Sequence, residues 1–245
     1  MESPHSHNDP DDQPFRFTNP KLVSQKLQTQ VVLCDAFDTR RETEILCILK
    51  FFSPRANVSY NRELAVYSTA NSSTVLQESV LLKLWSGIWT KTKYLEFLAD
   101  SLPTLLQKKD QQISVIALPY IRNTDSIFNG PEELRLFLTK AALYSLRHLH
   151  TNRITHGDIS VSNLLIERQD DYGYSTYWID FSSSTVEASA VNITYEWEKA
   201  VDYFSNLVYK LFYFKEKGAD KKDKSRCRFT CTLRGIGTEY LPTGF

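Results

Sequence analysis

The chain has 245 residues, 42% of them hydrophobic and 13% aromatic, which is enough apolar material for a sizeable core in one large domain or two small lobes. Lys and Arg total 29 and so do Asp and Glu, so no global charge argues for nucleic acid or an anionic membrane surface as a partner. No apolar run approaches membrane-spanning length and no signal-peptide core is present, so the expected setting is intracellular, cytoplasmic or nuclear, with no membrane partner.

Residues 1–20 are polar, acidic and rich in proline, and read as a disordered arm in which His5 and His7 are solvated. From 21 to 60 the pattern becomes strand-like, through VVLCDAF and EILCILKFF, and residues 61–70, NRELAVYSTA, suit a helix. Cys34 and Cys47 fall inside the apolar runs and read as buried thiols of a reducing compartment. Between 75 and 100, Val80, Leu81, Leu84, Trp85, Ile88, Leu95, Phe97 and Leu98 recur near the helical period. That spacing predicts one or two helices, with Trp85 and Trp89 as core residues. ISVIALPYI, 113–121, is a short strand ended by Pro119. Pro131 followed by two Glu opens a long helix over 131–150, with His148 and His150 near its end, where the helix dipole favours them. NLLIER and YSTYWIDF predict a hairpin closed by Gln169 to Gly173, and 195–214 predicts another long helix. KEKGADKKDKSRCR is charge-dense and reads as solvated, and Cys227 and Cys231 lack the paired CxxC spacing of a zinc ribbon. Strands crowd the first half and helices the second, so the expected plan is two lobes of α+β class, dividing near 121–125.

One stretch stands out chemically. In ITHGDISVSNLLI, 154–166, His156, Gly157, Asp158, Ser160, Ser162 and Asn163 sit between a helix and a buried strand. A carboxylate and an amide on a short loop between packed elements suit the holding of a ligand, although Asp and Asn also simply favour turns. Around it stand a strand ending in Lys50, a helix with Glu63, a strand followed by Tyr120, the long helix, the HGDxxxxN loop, and a strand ending Ile179-Asp180-Phe181. This order resembles the protein-kinase-like superfamily, whose signature is a strand Lys, a helix Glu, a catalytic-loop Asp and Asn, and an Asp-Phe-Gly. The resemblance runs from about Leu33 to Phe214. Its HGD spelling is nearer to small atypical members, such as fungal protein-kinase-like domains, RIO kinases and aminoglycoside phosphotransferases, than to common eukaryotic protein kinases.

The resemblance implies a bilobal protein-kinase-like fold. A β-rich N-lobe would cover 21–121, with a helical insertion near 75–100, and a shortened helical C-lobe would cover 122–245. It also implies an ATP- and Mg2+-dependent transfer of the γ-phosphoryl group to a hydroxyl, of a protein Ser/Thr or of a small molecule. A carboxylate is a weak base near neutral pH, so Asp158 would orient the attacking hydroxyl and accept its proton late. Asn163 and Asp180 would offer oxygens to magnesium, a hard cation. Lys50 would neutralise the inner phosphates and Glu63 would hold it in place. Val115 to Tyr120 would read the adenine edge through its backbone, with apolar contact from Ala117 and Leu118. His156 would pack within its loop, and Asp202 would support that loop from below.

Several departures accompany the resemblance. Residues 1–86 contain no glycine, so no G-x-G-x-x-G precedes Lys50 to let backbone N–H groups approach phosphates. Asp-Phe-Gly is here Asp180-Phe181-Ser182, and the Arg that precedes the catalytic Asp in common protein kinases is Gly157, which cannot pair with a phosphorylated segment. The Lys typical of Ser/Thr kinases two residues after that Asp is Ser160. Asp180 and Asp202 are 22 residues apart with no Ala-Pro-Glu between them, and 31 residues follow Phe214, so the C-lobe reads as minimal or truncated. The alternative expectation is a pseudokinase, a binding scaffold, with a protein partner on the 75–100 insertion.

Overall fold

The computed structural model describes residues 13–98, 105, 110–122, 132–169 and 173–213. The expectations for residues 1–12, for the 215–228 charge run with Cys227 and Cys231, and for the tail lie outside these residues. In chain order the elements are β1 (Phe15–Gln25), β2 (Thr29–Asp38), β3 (Thr43–Phe52), α1 (Asn57–Asn71), α2 (Thr74–Gln77), β4 (Trp85–Thr90), α3 (Lys91–Phe97), β5 (Gln112–Pro119), α4 (Glu132–Thr151), β6 (Leu164–Arg168), β7 (Tyr174–Trp178) and α5 (Ala190–Tyr213). The fold is α+β, with an antiparallel sheet of five strands and several helices. The chain forms two compact units, one of Met1–Ser68 with Leu82–Tyr120 and one of Thr69–Leu81 with Ile121–Phe245.

The sheet of the first unit runs β1-β2-β3-β5-β4. Its strands alternate, because successive side chains of a strand point to opposite faces. Val32, Cys34 and Ala36 of β2, Cys47, Leu49 and Phe51 of β3, and Ile113, Val115 and Ala117 of β5 form one face of the hydrophobic core with Trp89, Tyr94 and Leu98. The opposite face therefore carries Val31 and Leu33 of β2, Ile48 and Lys50 of β3, and Ile116 and Leu118 of β5. Register places Lys50 beside both Val31 and Ile116, and Ile48 beside both Leu33 and Leu118.

Two expectations fail in this unit. The arm expected over 1–20 becomes strand β1 from Phe15 onward, paired with β2 from Phe15↔Asp38. Phe15 and Phe17 stack at 6.1 Å, and Pro20 is tolerated because β1 is an edge strand. Asn19 takes φ 53 at the register shift between Thr18 and Lys21, and its amide donates to Asp35 Oδ2 at 2.7 Å. The second concerns the helical insertion near 75–100: two short helices form there, α2 and α3, but residues 85–90 between them are strand β4, paired antiparallel with β5. Trp85 and Trp89, four apart, share a face in a strand as well as in a helix, so their spacing could not decide between the two. Within the segment, Trp89, Tyr94 and Leu98 are buried in the core of the first unit, and Leu76, Val80 and Leu81 are buried residues of the second.

In the second unit α4 buries Leu138, Ala142, Leu143, Leu146 and Leu149. The β6–β7 hairpin forms as expected, from Leu164↔Trp178 to Arg168↔Tyr174. Trp178 is fully buried; its indole N–H donates to the Ala142 carbonyl at 3.3 Å and its backbone N–H to the Ser79 carbonyl at 2.9 Å. Helix α5 begins five residues before the expected start of 195, with the Ser189 side chain accepting from the Asn192 N–H at 3.3 Å. Among the described residues no helix is long and apolar enough to cross a membrane.

Candidate functional site

Lys50 lies near the end of β3 and Glu63 in the middle of α1, and their side chains form an ion pair. Glu63 is fully buried and Lys50 is 8% exposed. Burying a charge costs free energy unless an opposite charge compensates it, so the two residues depend on each other. The Lys50 ammonium also stands 5.3 Å from the centre of the Phe52 ring. Of the two residues expected to offer apolar contact on this unit, Leu118 shares the Lys50 face and Ala117 does not. Ala117 belongs to the core cluster, and its carbonyl accepts from the Leu84 N–H at 3.0 Å. Val31, Leu33, Ile48 and Ile116 are the apolar neighbours that sequence reasoning missed. The period-two alternation counted outward from Lys50 was the signal that could have found them. Tyr120 is 39% exposed, and its backbone N–H is taken by the Leu46 carbonyl at 3.0 Å.

The HGD loop of the second unit is fixed from two sides, α5 and the end of β7. From α5, Glu196 accepts from the His156 N–H at 2.9 Å, the Gly157 N–H at 2.6 Å and His150 Nε2 at 2.8 Å. Burial alone would raise the Glu196 carboxyl, but these donors outweigh it and hold the group below its ordinary value. Also from α5, the Tyr203 hydroxyl accepts from the Val161 N–H at 3.2 Å. From the β7 side, His156 Nε2 donates to the Ile179 carbonyl at 2.9 Å, while its Nδ1 accepts from the Asp158 N–H at 3.3 Å. The ring is fully buried against Trp178 and Phe181, and burial pushes its pKa down, so it is held neutral. Gly157 is required where it stands. It has φ +82, and a Cβ there would lie 2.1 Å from the Ser183 carbonyl oxygen.

Asp158 and Asn163 are joined directly. The Asn163 amide nitrogen donates to the Asp158 carbonyl at 2.9 Å and to its carboxylate Oδ2 at 3.0 Å. That orients the Asn163 side chain and leaves Oδ1 as its acceptor end. Asn163 is itself tied to the β7 end, since the Ile179 N–H donates to its carbonyl at 2.9 Å. Asp180 follows Ile179 in the left-handed region at φ 63, a conformation Asp tolerates better than most side chains. After it, Thr155 and Thr185 exchange backbone bonds of 3.0 and 3.1 Å, so the segment following Asp180 is laced to the residues that enter the loop.

An open groove of about 620 Å³ lies beside Asp158, with Ile159, Tyr195, Lys199, Asp202 and Tyr203 among its lining residues. Glu196 supports the loop directly, and Asp202, expected to support it from below, lines the groove together with Asp158. His148 and His150 lie in the last turn of α4, as expected, and engage Ser79 at 2.7 Å and Glu196 at 2.8 Å. Among the described residues no cluster of three His, Cys, Asp or Glu side chains is assembled for a metal. The donors this region offers are oxygens: the carboxylate of Asp158 and the side-chain oxygen of Asn163, joined directly, and the carboxylate of Asp180, which like Asp158 is near enough to act on the His156 ring. That set suits a hard cation that keeps part of its coordination for phosphate and water. A comparison with protein-family models finds none that matches the chain, and a search of curated proteins finds none similar to it.

Proposed function

We propose that the chain is an ATP- and Mg2+-dependent phosphotransferase of bilobal protein-kinase-like architecture, which transfers the γ-phosphoryl group to a hydroxyl. The observation that carries this reading is the Asp158–Asn163 pair, held by Glu196 and linked through His156 and Asn163 to the residue that precedes Asp180. The buried Lys50–Glu63 pair, on the third strand and the first helix, supports it independently.

Phosphoryl transfer asks the protein for positioning and charge neutralisation more than for covalent chemistry. Lys50, steadied by Glu63, pairs with the nucleotide phosphates, and the apolar face of Ile48, Ile116 and Leu118 receives the base. Asn163 and Asp180 would hold magnesium, which would supply charge neutralisation at the phosphate oxygens. Asp158 orients the hydroxyl, and its carboxylate takes the proton as the new bond forms. The groove beside it accommodates the acceptor, a protein Ser/Thr or a small-molecule hydroxyl. Gly157 and the backbone bonds between Thr155 and Thr185 keep the segment after Asp180 in place without a phosphorylated residue to organise it.

Asp158→Ala should lower Mg-ATP turnover, read as ATP hydrolysis or autophosphorylation, by about 10²–10⁴-fold while ATP still binds. Full turnover in that variant would remove Asp158 from its role. A second reading, a pseudokinase scaffold, is favoured by one observation. The β1–β2 connection is Lys26-Leu27-Gln28, closed by the Lys26 N–H on the Thr29 carbonyl at 2.8 Å, with no glycine to bring backbone donors against phosphate.

A further inference from the structure

Cys34 of β2 and Cys47 of β3 stand directly opposite one another in the antiparallel ladder. Their Sγ atoms are 3.3 Å apart and both thiols are free. Both are in the core, 1% and 0% exposed. Directly opposed residues of an antiparallel pair have Cα atoms about 4.5–5.5 Å apart, inside the range a disulfide accepts. Neither residue has a part in phosphoryl transfer, since both project from the sheet face opposite Lys50.

We propose that Cys34 and Cys47 are a cross-strand dithiol that closes to a disulfide when a small disulfide oxidant reaches it, tying β2 covalently to the strand that carries Lys50. One thiol loses its proton, and its sulfur attacks a sulfur of the oxidant, forming a mixed disulfide and releasing one small thiolate. The second cysteine, deprotonated in turn, attacks the protein sulfur of that mixed disulfide and releases the second small thiolate. The two protons end on the two released thiolates, and the two electrons lost by the cysteines reduce the oxidant. The hydrogen bond with Cys47, together with burial, holds the Cys34 thiol well above the ordinary thiol range. Thiolate is therefore scarce, the resting form is the dithiol, and closure in the native protein is slow. Once a first sulfur has reacted, its partner is already in place.

The test uses the full chain, folded, incubated with 2-hydroxyethyl disulfide, alkylated and digested with trypsin without reduction. Trypsin separates the two cysteines into peptides 27–40 and 42–50, so the bond appears as one cross-linked species lighter than their sum by two hydrogen atoms. The expected result is that species as the main product, reversed by dithiothreitol, with a raised melting temperature for the oxidised chain. The Cys227→Ser, Cys231→Ser variant should give the same bond. The proposal is overturned by mixed disulfides that never resolve, by bonds from Cys34 or Cys47 to Cys227 or Cys231, by thiols that react only after unfolding, or by a lowered melting temperature.

Discussion

Both carboxylate oxygens of Glu196 accept from the loop that carries Asp158, and one of them also meets His150. Glu196→Ala would leave these buried donors without their acceptor, at a cost of about 3 kcal/mol. Urea unfolding measures it, and a loss under 1 kcal/mol would mean that the loop does not depend on this anchor. The same residues set a pH dependence. Burial holds the His156 pKa below 6.5, so as pH falls the unfolded chain takes the proton first. That contribution is complete above about 6.5 and is lost as pH drops toward the folded value. Glu196, held below 4.5, contributes stability that is present above 4.5 and lost as pH falls through its folded value. Both act in one direction, so the urea midpoint should fall from pH 7 to pH 4; a constant or rising midpoint contradicts the placement of these groups. At this scale the sequence made Asp158, Asn163 and Asp180 visible because their spacing is local. It did not reveal Glu196, because a supporting carboxylate 40 residues after His156 is recognisable only once the helix face is known.

Elements were legible where composition or period favoured one geometry. The β-branched apolar run VVLC of β2 and the long apolar stripe of α4 each pointed to the element that forms. Around residue 85 the pattern was ambiguous, because a four-residue spacing satisfies both periods. The strand makes a sharp prediction there. Ile88 is 60% exposed on β4 while its neighbour Trp89 is 3% exposed. Ile88→Thr should change stability by less than about 0.5 kcal/mol, and Trp89→Ala should cost about 3–5 kcal/mol. Comparable losses at both positions in chemical denaturation would argue against β4. β1 was hidden for another reason: composition, the prolines and acids of the first 20 residues, outweighed the alternation of Phe15 and Phe17, and edge strands tolerate such residues.

For the whole molecule, balanced charge and the lack, among the described residues, of a helix able to span a membrane leave function to local arrangement. The order of strand Lys, helix Glu, loop Asp and Asn, and final Asp could be read along the chain. Which side chains share a face with Lys50 could not, since Ala117 and Leu118 are adjacent in sequence yet opposite in the sheet. The central claim is that these residues serve Mg-ATP in spite of a glycine-free β1–β2 turn. Thermal unfolding with and without Mg-ATP, beside Asp180→Asn, tests it most directly. At 100 times its dissociation constant a ligand stabilises by about 2.7 kcal/mol, roughly 5–10 °C for a chain of this size. The account predicts a shift of that order that needs magnesium and is lost in Asp180→Asn. A wild-type chain that melts cooperatively with no shift, or a shift that survives in the variant, would contradict it.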